Sequence, residues 1–119
     1  VLASDIDPVA VDVARANVAA NGLDGRVRCV TAAGFDAPVL KQAGPYDLVF
    51  ANILKGPLIG LAPDMAAATK PGGFVILSGI LNEQADDVIG VYERNGYSLA
   101  HHDRIVEWTT LTLTRNGDF

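Results

Sequence analysis

The chain has 119 residues, of which 50% are hydrophobic and 19% charged, and 9 basic against 14 acidic side chains give a net charge of −5. This composition is typical of one globular domain and argues against a disordered chain. The sequence has no basic run, which argues against electrostatic binding of nucleic acid, and no apolar stretch of about 18 residues that would predict a transmembrane helix. The one cysteine, Cys29, excludes a disulfide framework and suits a reducing, cytoplasmic setting.

The first third of the chain predicts a strand, a helix and a second strand. Residues 1–4 are short and apolar and predict a buried strand that ends at Asp5. Residues 7–8, Asp-Pro, suit a helix start, because aspartate caps free amides and proline fits the first turn. Apolar residues then repeat at helical spacing up to the Asn-Gly pair at 21–22, which is typical of a helix end. Residues 26–31 are rich in β-branched side chains and predict the second strand.

The middle of the chain predicts a loop, two strands and a helix. Residues 32–45 predict a loop with one helical turn around 37–42, and residues 46–51 predict a third strand ending at Asn52. Apolar residues between 58 and 65 predict a helix that Pro63 breaks or restarts. The Lys-Pro-Gly-Gly sequence that follows, residues 70–73, predicts a turn, and the apolar run at residues 74–77 predicts the fourth strand.

The last part predicts a helix and two strands without a helix between them. Asn82 is predicted to cap a helix that the Asn-Gly pair at 95–96 closes. Residues 97–101 and 107–114 predict a closing antiparallel pair, and the tail from residue 115 to 119 is expected to fray. Apolar strands that alternate with amphipathic helices predict an α/β fold: a doubly wound, mostly parallel sheet covered on both faces.

Candidate site residues lie where the predicted parallel strands end, because ligands bind at the carboxyl edge of such sheets. Asp5 could accept hydrogen bonds from two ribose hydroxyls, or it could be a second capping residue or a solvated acid. Gly34 and Phe35 could form an aromatic wall for a purine, or a turn glycine beside a core phenylalanine. Asn52 could orient an amine through its amide, or it could serve a turn or cap.

Other polar and aromatic residues give weaker indications of a functional site. Adjacent strand residues point to opposite faces, so His101 and His102 are not expected to share a metal, and no metal site is predicted. Cys29 lies in mid-strand and is expected to be a buried, inert thiol. The pair at 107–108, Glu-Trp, could close over a cleft or pack in a hairpin.

Taken together, these motifs resemble a known family. Residues 4–11, Ser-Asp-Ile-Asp-Pro-Val-Ala-Val, resemble the second motif of class I methyltransferases that use S-adenosylmethionine. Residues 45–54, which contain Ala-Asn-Ile-Leu, and residues 77–81, Leu-Ser-Gly-Ile-Leu, together with the Glu-Trp pair, resemble the ribosomal protein L-eleven methyltransferases (PrmA-like). The resemblance covers nearly the whole chain.

The resemblance implies a Rossmann-like methyltransferase fold, S-adenosylmethionine as cofactor and an enzyme that methylates lysine side chains and the N-terminal amine of a ribosomal large-subunit protein. It implies that Asp5 holds the ribose, that Ile6 packs on adenine and that Gly34 and Phe35 line the adenine rim. It also implies that Asn52 lies beside the methionyl end and the incoming amine, as the catalytic residue.

The sequence departs from the family pattern at its front, where the family has a first strand, a glycine-rich loop and a first helix. We therefore expect residues 1–119 to be the later part of a catalytic domain, inactive alone, with exposed sheet edges that favour self-association. A related methyltransferase for a small molecule or another protein, and a non-catalytic nucleotide-binding remnant, are the alternatives. A nicotinamide-dependent dehydrogenase is disfavoured, because the sequence shows no glycine-rich fingerprint.

Overall fold

A computed structural model describes residues 1–117 of the chain. The chain divides into two compact units, the first Val1–Ala43 and the second beginning at Gly44. Both contain parallel strands with helical connections, and the second ends in an antiparallel hairpin. The predicted α/β class and the closing hairpin are confirmed.

The first unit is a strand-helix-strand segment followed by a short helix. Strand β1 (Leu2–Asp5) pairs in parallel with β2 (Arg28–Thr31), and helix α1 (Pro8–Ala20) connects them. Asp7 caps α1 as predicted, since its Oδ1 accepts a hydrogen bond from the Val9 amide at 2.9 Å. Helix α2 (Pro38–Ala43) replaces the single helical turn that the sequence predicted.

The core of the first unit is small. Val11, Cys29 and Leu40 are buried, which confirms that the thiol is enclosed. The prediction of a buried first strand is wrong: Leu2 and Ala3 are half-buried, and Ser4 and Asp5 are exposed. The two-stranded sheet gives β1 only one hydrogen-bonded neighbour within this unit, so its outer edge is open.

The second unit is a four-stranded sheet with helices on one face. Its strands run in the order β3-β4-β6-β5, with β4 parallel to β3 and β6 antiparallel to both of its neighbours. The elements, in chain order, are β3 (Tyr46–Asn52), α3 (Lys55–Gly60), α4 (Ala62–Ala68), β4 (Thr69–Leu81), α5 (Ala85–Arg94), β5 (Tyr97–Ile105) and β6 (Trp108–Arg115).

Side chains alternate along β4 and β6, and one set forms the core against α3, α4 and α5. This set and its helical partners are fully buried: Leu58, Met65, Val75, Leu77, Val88, Tyr92, Leu111 and Leu113. The Tyr92 hydroxyl donates to the Leu58 carbonyl at 2.8 Å, and the Tyr97 and Thr69 hydroxyls are hydrogen-bonded at 2.8 Å. The hydroxyl groups of both buried tyrosines, Tyr92 and Tyr97, thus have hydrogen-bond partners inside the core.

Within the second unit, the described helices cover one face of the sheet and leave apolar side chains exposed on the other. Leu48 and Phe50 on β3 are 55% and 67% exposed, and Phe74 on β4 is 44% exposed. They occupy one face, because Leu48 pairs with Phe74 and successive residues of a strand alternate. The open face of this sheet is therefore apolar at its β3 side.

Two predicted breaks take a different form in the structure. Pro63 lies in the first turn of α4, so the predicted helix restarts there as two short helices. The predicted turn at 70–73 lies within β4, where pairing jumps from Tyr46–Thr69 to Leu48–Phe74 and Gly72 has a φ of 80°. Glycine permits this left-handed backbone, so the strand continues beyond the irregularity.

The predicted cap of the last helix is wrong. Asn82 begins a single 3₁₀ turn, Asn82–Gln84, and the Gln84 side chain accepts the hydrogen bond from the Leu81 amide at 3.1 Å. The predicted fraying is wrong for Arg115, which ends β6 and donates from its guanidinium to the Ala66 carbonyl at 3.2 Å. Residues 118–119 of the predicted tail lie outside the described residues.

Candidate functional site

The carboxyl edge of the first unit gathers four of the predicted site residues. Asp5 pairs with Thr31, so the two parallel strands end side by side, and the Ala32 amide donates to the Asp5 carbonyl at 2.9 Å. The loop that follows β2 turns at Gly34, whose φ is 58°. Asp5, its neighbour Ile6 and the loop with Gly34 and half-buried Phe35 therefore lie at one edge.

Asp5 presents an acid at this edge without capping the helix. Its Oδ1 accepts a hydrogen bond from the Asp7 amide at 2.9 Å, and Asp7, not Asp5, caps α1. This bond orients the carboxylate and leaves lone pairs on both oxygens for a ligand. Ile6 beside it is 71% exposed. A flat ring packed against this apolar side chain would remove it from water, which is favourable.

The carboxyl edge of the second unit contains Asn52. Asn52 ends β3 and pairs with Ser78 of β4. Immediately afterwards β4 has a bulge, because its pairing with β6 moves from Leu77–Leu111 to Ile80–Thr109. The bulge places the Asn52 side chain directly against the β4 backbone.

Gly79 makes this close approach possible. Its φ is 81°, and a Cβ there would lie 2.7 Å from Asn52 Oδ1 and 2.9 Å from the Ile53 carbonyl oxygen. Both distances are shorter than the contacts that carbon atoms make, so a side chain at this position would displace the amide. Gly79 is thus a positioning residue for Asn52. In the sequence this glycine was noted only as part of the motif at residues 77–81.

Asn52 carries a neutral amide, and the lysine three residues after it, Lys55, lies in an ion pair. Lys55, at the start of α3, contacts Asp87 with a 2.7 Å salt bridge. The hydrogen bond and the charge of Lys55 hold the pKa of the exposed Asp87 carboxyl below its usual value. The lysine is therefore partnered, and the amide at the strand end neither gains nor loses a proton at ordinary pH.

Other candidates take structural or surface positions. His101 lies on the surface 2.9 Å from Asp103, while the Nε2 atom of His102 is enclosed without a hydrogen-bond partner among residues 1–117. Within those residues no group of three His, Cys, Asp or Glu side chains could hold a metal ion. The Glu-Trp pair at 107–108 lies where the last hairpin turns.

The described part of the chain contains no helix long and apolar enough to cross a membrane.

Comparisons with known proteins agree over the length of the chain. The family model described as ribosomal protein L11 methyltransferase (PrmA) matches residues 1–116. The ribosomal protein L11 methyltransferase of Bradyrhizobium diazoefficiens is 49% identical over 117 residues, which are 98% of this chain and 40% of that protein. That of Agrobacterium fabrum is 46% identical, again over 98% of this chain and 40% of the relative. The chain spans about 40% of the length of these curated relatives.

Solved structures show the same fold. A ribosomal protein L11 methylase from Lactobacillus delbrueckii subsp. bulgaricus superposes with a TM-score of 0.88 at 27% identity, over 98% of this chain and 58% of that chain. An RNA methyltransferase from Salinibacter ruber, in complex with S-adenosyl-L-homocysteine, has a TM-score of 0.74 at 18% identity, over 99% of this chain and 67% of that chain, and shares the fold. The chain belongs to the ribosomal protein L11 methyltransferase (PrmA) family.

Proposed function

We propose that residues 1–119 are the later part of the catalytic domain of a protein methyltransferase. The enzyme would transfer methyl groups from S-adenosylmethionine to amino groups of ribosomal protein L11, on lysine side chains and the N-terminal amine. Family membership supports this assignment. The observation that carries it is the neutral amide of Asn52, which a glycine-only contact holds at the carboxyl edge of the sheet.

The residues of the first unit fit a nucleoside. The oriented, exposed carboxylate of Asp5 would accept hydrogen bonds from two vicinal hydroxyls, as acids at this place in α/β sheets do. Ile6 and Phe35 would contact the purine, and the turn at Gly34 would let the backbone approach its rim. These residues bind and orient, and none of them is required to exchange a proton.

When bound, the cofactor supplies a methyl group on a positively charged sulfur, and the amine lone pair forms the new C–N bond while the C–S bond breaks. The proton of the resulting ammonium leaves to water. Such an in-line displacement depends chiefly on alignment, which supplies a large part of the acceleration in well-oriented reactions. The Asn52 amide oxygen would accept a hydrogen bond from an N–H group of the neutral amine. This bond would orient the lone pair of the amine nitrogen toward the methyl group, a task that needs no strong base.

The unpaired strand edges support the proposal that residues 1–119 are one part of a larger domain. β1 in the first unit and β3 in the second each pair with one strand, and an unpaired edge is a template for another chain. We therefore propose that the 119-residue chain alone has little activity, that it self-associates through these edges, and that the intact enzyme works in the cytoplasm, where its thiol stays reduced. Micromolar binding of S-adenosylmethionine by the isolated chain, measured by calorimetry, would contradict this.

The test of the proposed function is methyl transfer to purified ribosomal protein L11 by the intact enzyme. Asn52→Ala should lower kcat by about 100-fold while the Kd for S-adenosylmethionine stays within about 3-fold, because misalignment affects the transition state more than cofactor binding. Asn17→Ala, an exposed asparagine on α1, is the matched control and should leave both constants unchanged. Equal losses in kcat and cofactor affinity would contradict the role of Asn52, and activity on small amines alone would contradict the protein substrate.

A further inference from the structure

The turn of the last hairpin exposes an apolar surface. Ile105 pairs with Trp108, so Val106 and Glu107 form a two-residue loop, and we call residues 105–108 the hairpin tip. Ile105 is 72% exposed, Val106 85% and Trp108 49%. Large apolar side chains grouped at one projecting turn are unusual in a surface that only meets water, and such patches mark interaction sites.

The loop backbone is strained. Val106 has a φ of 55°, and no other residue except glycine has a positive φ between residues 1 and 117. Two-residue hairpin loops normally place glycine or asparagine at such a position, because a β-branched side chain clashes with the backbone there. Backbone strain of this kind concentrates at functional sites.

Asn82 holds the strained loop in place. Its backbone N–H donates to the Glu107 carbonyl at 2.9 Å, and its side-chain nitrogen donates to the Val106 carbonyl at 2.8 Å. Its side-chain oxygen accepts from the Thr109 hydroxyl at 2.6 Å. Three bonds from one residue fix the tip to the end of β4, so its side chains are presented on a rigid support.

The hairpin tip and Asn52 lie at the same edge of the sheet. Trp108 pairs with Leu81 and Asn52 pairs with Ser78, so they flank β4 on its two sides near its carboxyl end. Three residues along the strand and two strands across separate them by roughly 14 Å at ordinary sheet spacings. About four extended residues of a bound peptide would span that distance.

Both side chains also belong to the same face. Leu77 and Ile80 are buried toward the helices, so the residues that follow them, Ser78 and Leu81, face the open side. Directly paired residues share a face, which places Asn52 and Trp108 on the open side as well. A segment lying across this side of the edge could therefore contact the indole and the amide together.

Charges at the tip favour a cation. The exposed Glu107 carboxylate has no salt-bridge partner in the described part of the chain, and Glu83 beside Asn82 is also exposed. Arg104 pairs with the buried Thr109 and so belongs to the helix-covered face. An indole face and a free carboxylate attract an ammonium group, and the indole also packs against its aliphatic stem.

From these observations we infer that the hairpin tip is a docking surface for a lysine-bearing, basic segment of the protein substrate, with Trp108 as its anchor and Glu107 as its charge partner. This inference rests on the proposed function for the identity of the substrate. The tip determines which amine reaches Asn52, and it takes no part in methyl transfer or in cofactor binding.

The experiment compares Trp108→Ala, Trp108→Phe and Glu107→Gln in the intact enzyme. Trp108→Ala should raise KM for ribosomal protein L11 about 10-fold, with kcat and the Kd for S-adenosylmethionine within about 2-fold, since loss of a partly desolvated cation–π contact has that size. Trp108→Phe and Glu107→Gln should each raise KM about 3-fold. Leu99→Ala, at an exposed apolar residue on the far end of the same hairpin, is the matched control and should leave KM unchanged.

A binding readout separates this inference from the proposed function. Trp108 is the only tryptophan of this chain, and the difference between wild-type and Trp108→Phe emission isolates its signal in the intact enzyme. Addition of ribosomal protein L11 should shift that emission to the blue. If the enzyme binds L11 with this shift but transfers no methyl group, the proposed function is wrong and the docking surface is still supported. An unchanged emission, or an unchanged KM in both Trp108→Phe and Glu107→Gln, would overturn the docking surface.

Discussion

Replacing Gly79 with alanine tests whether the β4 bulge positions the Asn52 amide, which we propose to be catalytic. The added Cβ would lie 2.7 Å from Asn52 Oδ1 and 2.9 Å from the Ile53 carbonyl oxygen, and the residue would keep a φ of 81°. The left-handed backbone costs a side-chain-bearing residue about 1–2 kcal/mol. Overpacking of a rigid contact costs about 1–3 kcal/mol more, so Gly79→Ala should lower the free energy of unfolding by about 2–5 kcal/mol.

Gly72→Ala is the matched control for this substitution. Gly72 lies in the same strand with a φ of 80°, but a Cβ there would meet nothing within 4 Å. It should lose only the backbone contribution, about 1–2 kcal/mol. Urea denaturation of both variants measures the difference, which isolates the contact with Asn52 and Ile53.

Activity of the same variants completes the test. Gly79→Ala should lower kcat for methyl transfer by about 10- to 100-fold through the displaced amide, whereas Gly72→Ala should keep wild-type kcat. In an Asn52→Ala background, where the 2.7 Å contact is gone, Gly79→Ala should cost less stability than in the wild type. Equal destabilisation by the two glycine variants, or full activity of Gly79→Ala, would refute the positioning role.

Two further predictions concern stability. Val106→Gly should raise the free energy of unfolding by about 0.5–1 kcal/mol, since relief of the left-handed strain exceeds the entropy cost of glycine, and a lower urea midpoint would contradict the strain at φ 55°. Burial raises the pKa of the Tyr92 and Tyr97 hydroxyls above the ordinary value of about 10. Because the folded pKa is the higher one, their contribution to stability is complete below pH 10 and is lost as the pH rises above it. Urea midpoints should therefore fall from about pH 10 to 11, and a Tyr92→Phe/Tyr97→Phe protein should show a shallower fall; equal slopes would exclude these tyrosines as the cause.

Local patterns predicted most elements because their signals depend on neighbouring residues. Asp7 and Pro8 start α1, Pro63 restarts a helix, and the strand that ends at Asn52 has the predicted bounds to within a residue. The candidate site residues were predicted at strand ends from the sequence, because ligands bind at the carboxyl edge of parallel sheets. Asp5 and Ile6 beside the Gly34 loop follow from the β1–β2 pairing alone.

The sequence by itself determined most of the element order, the family and the residue types at the strand ends, because these depend on local periodicity and short motifs. Only the tertiary structure decided what lies beside Asn52: a bulge at Gly79 arises from the pairing of β4 with β3 on one side and β6 on the other. It likewise decided that Asn82 holds a strained hairpin 24 residues away in sequence instead of capping its own helix. A side chain such as that of Asn82 can bond several partners with similar local geometry. The partner it takes depends on which distant residues the fold brings near, and a local sequence pattern carries no information about that.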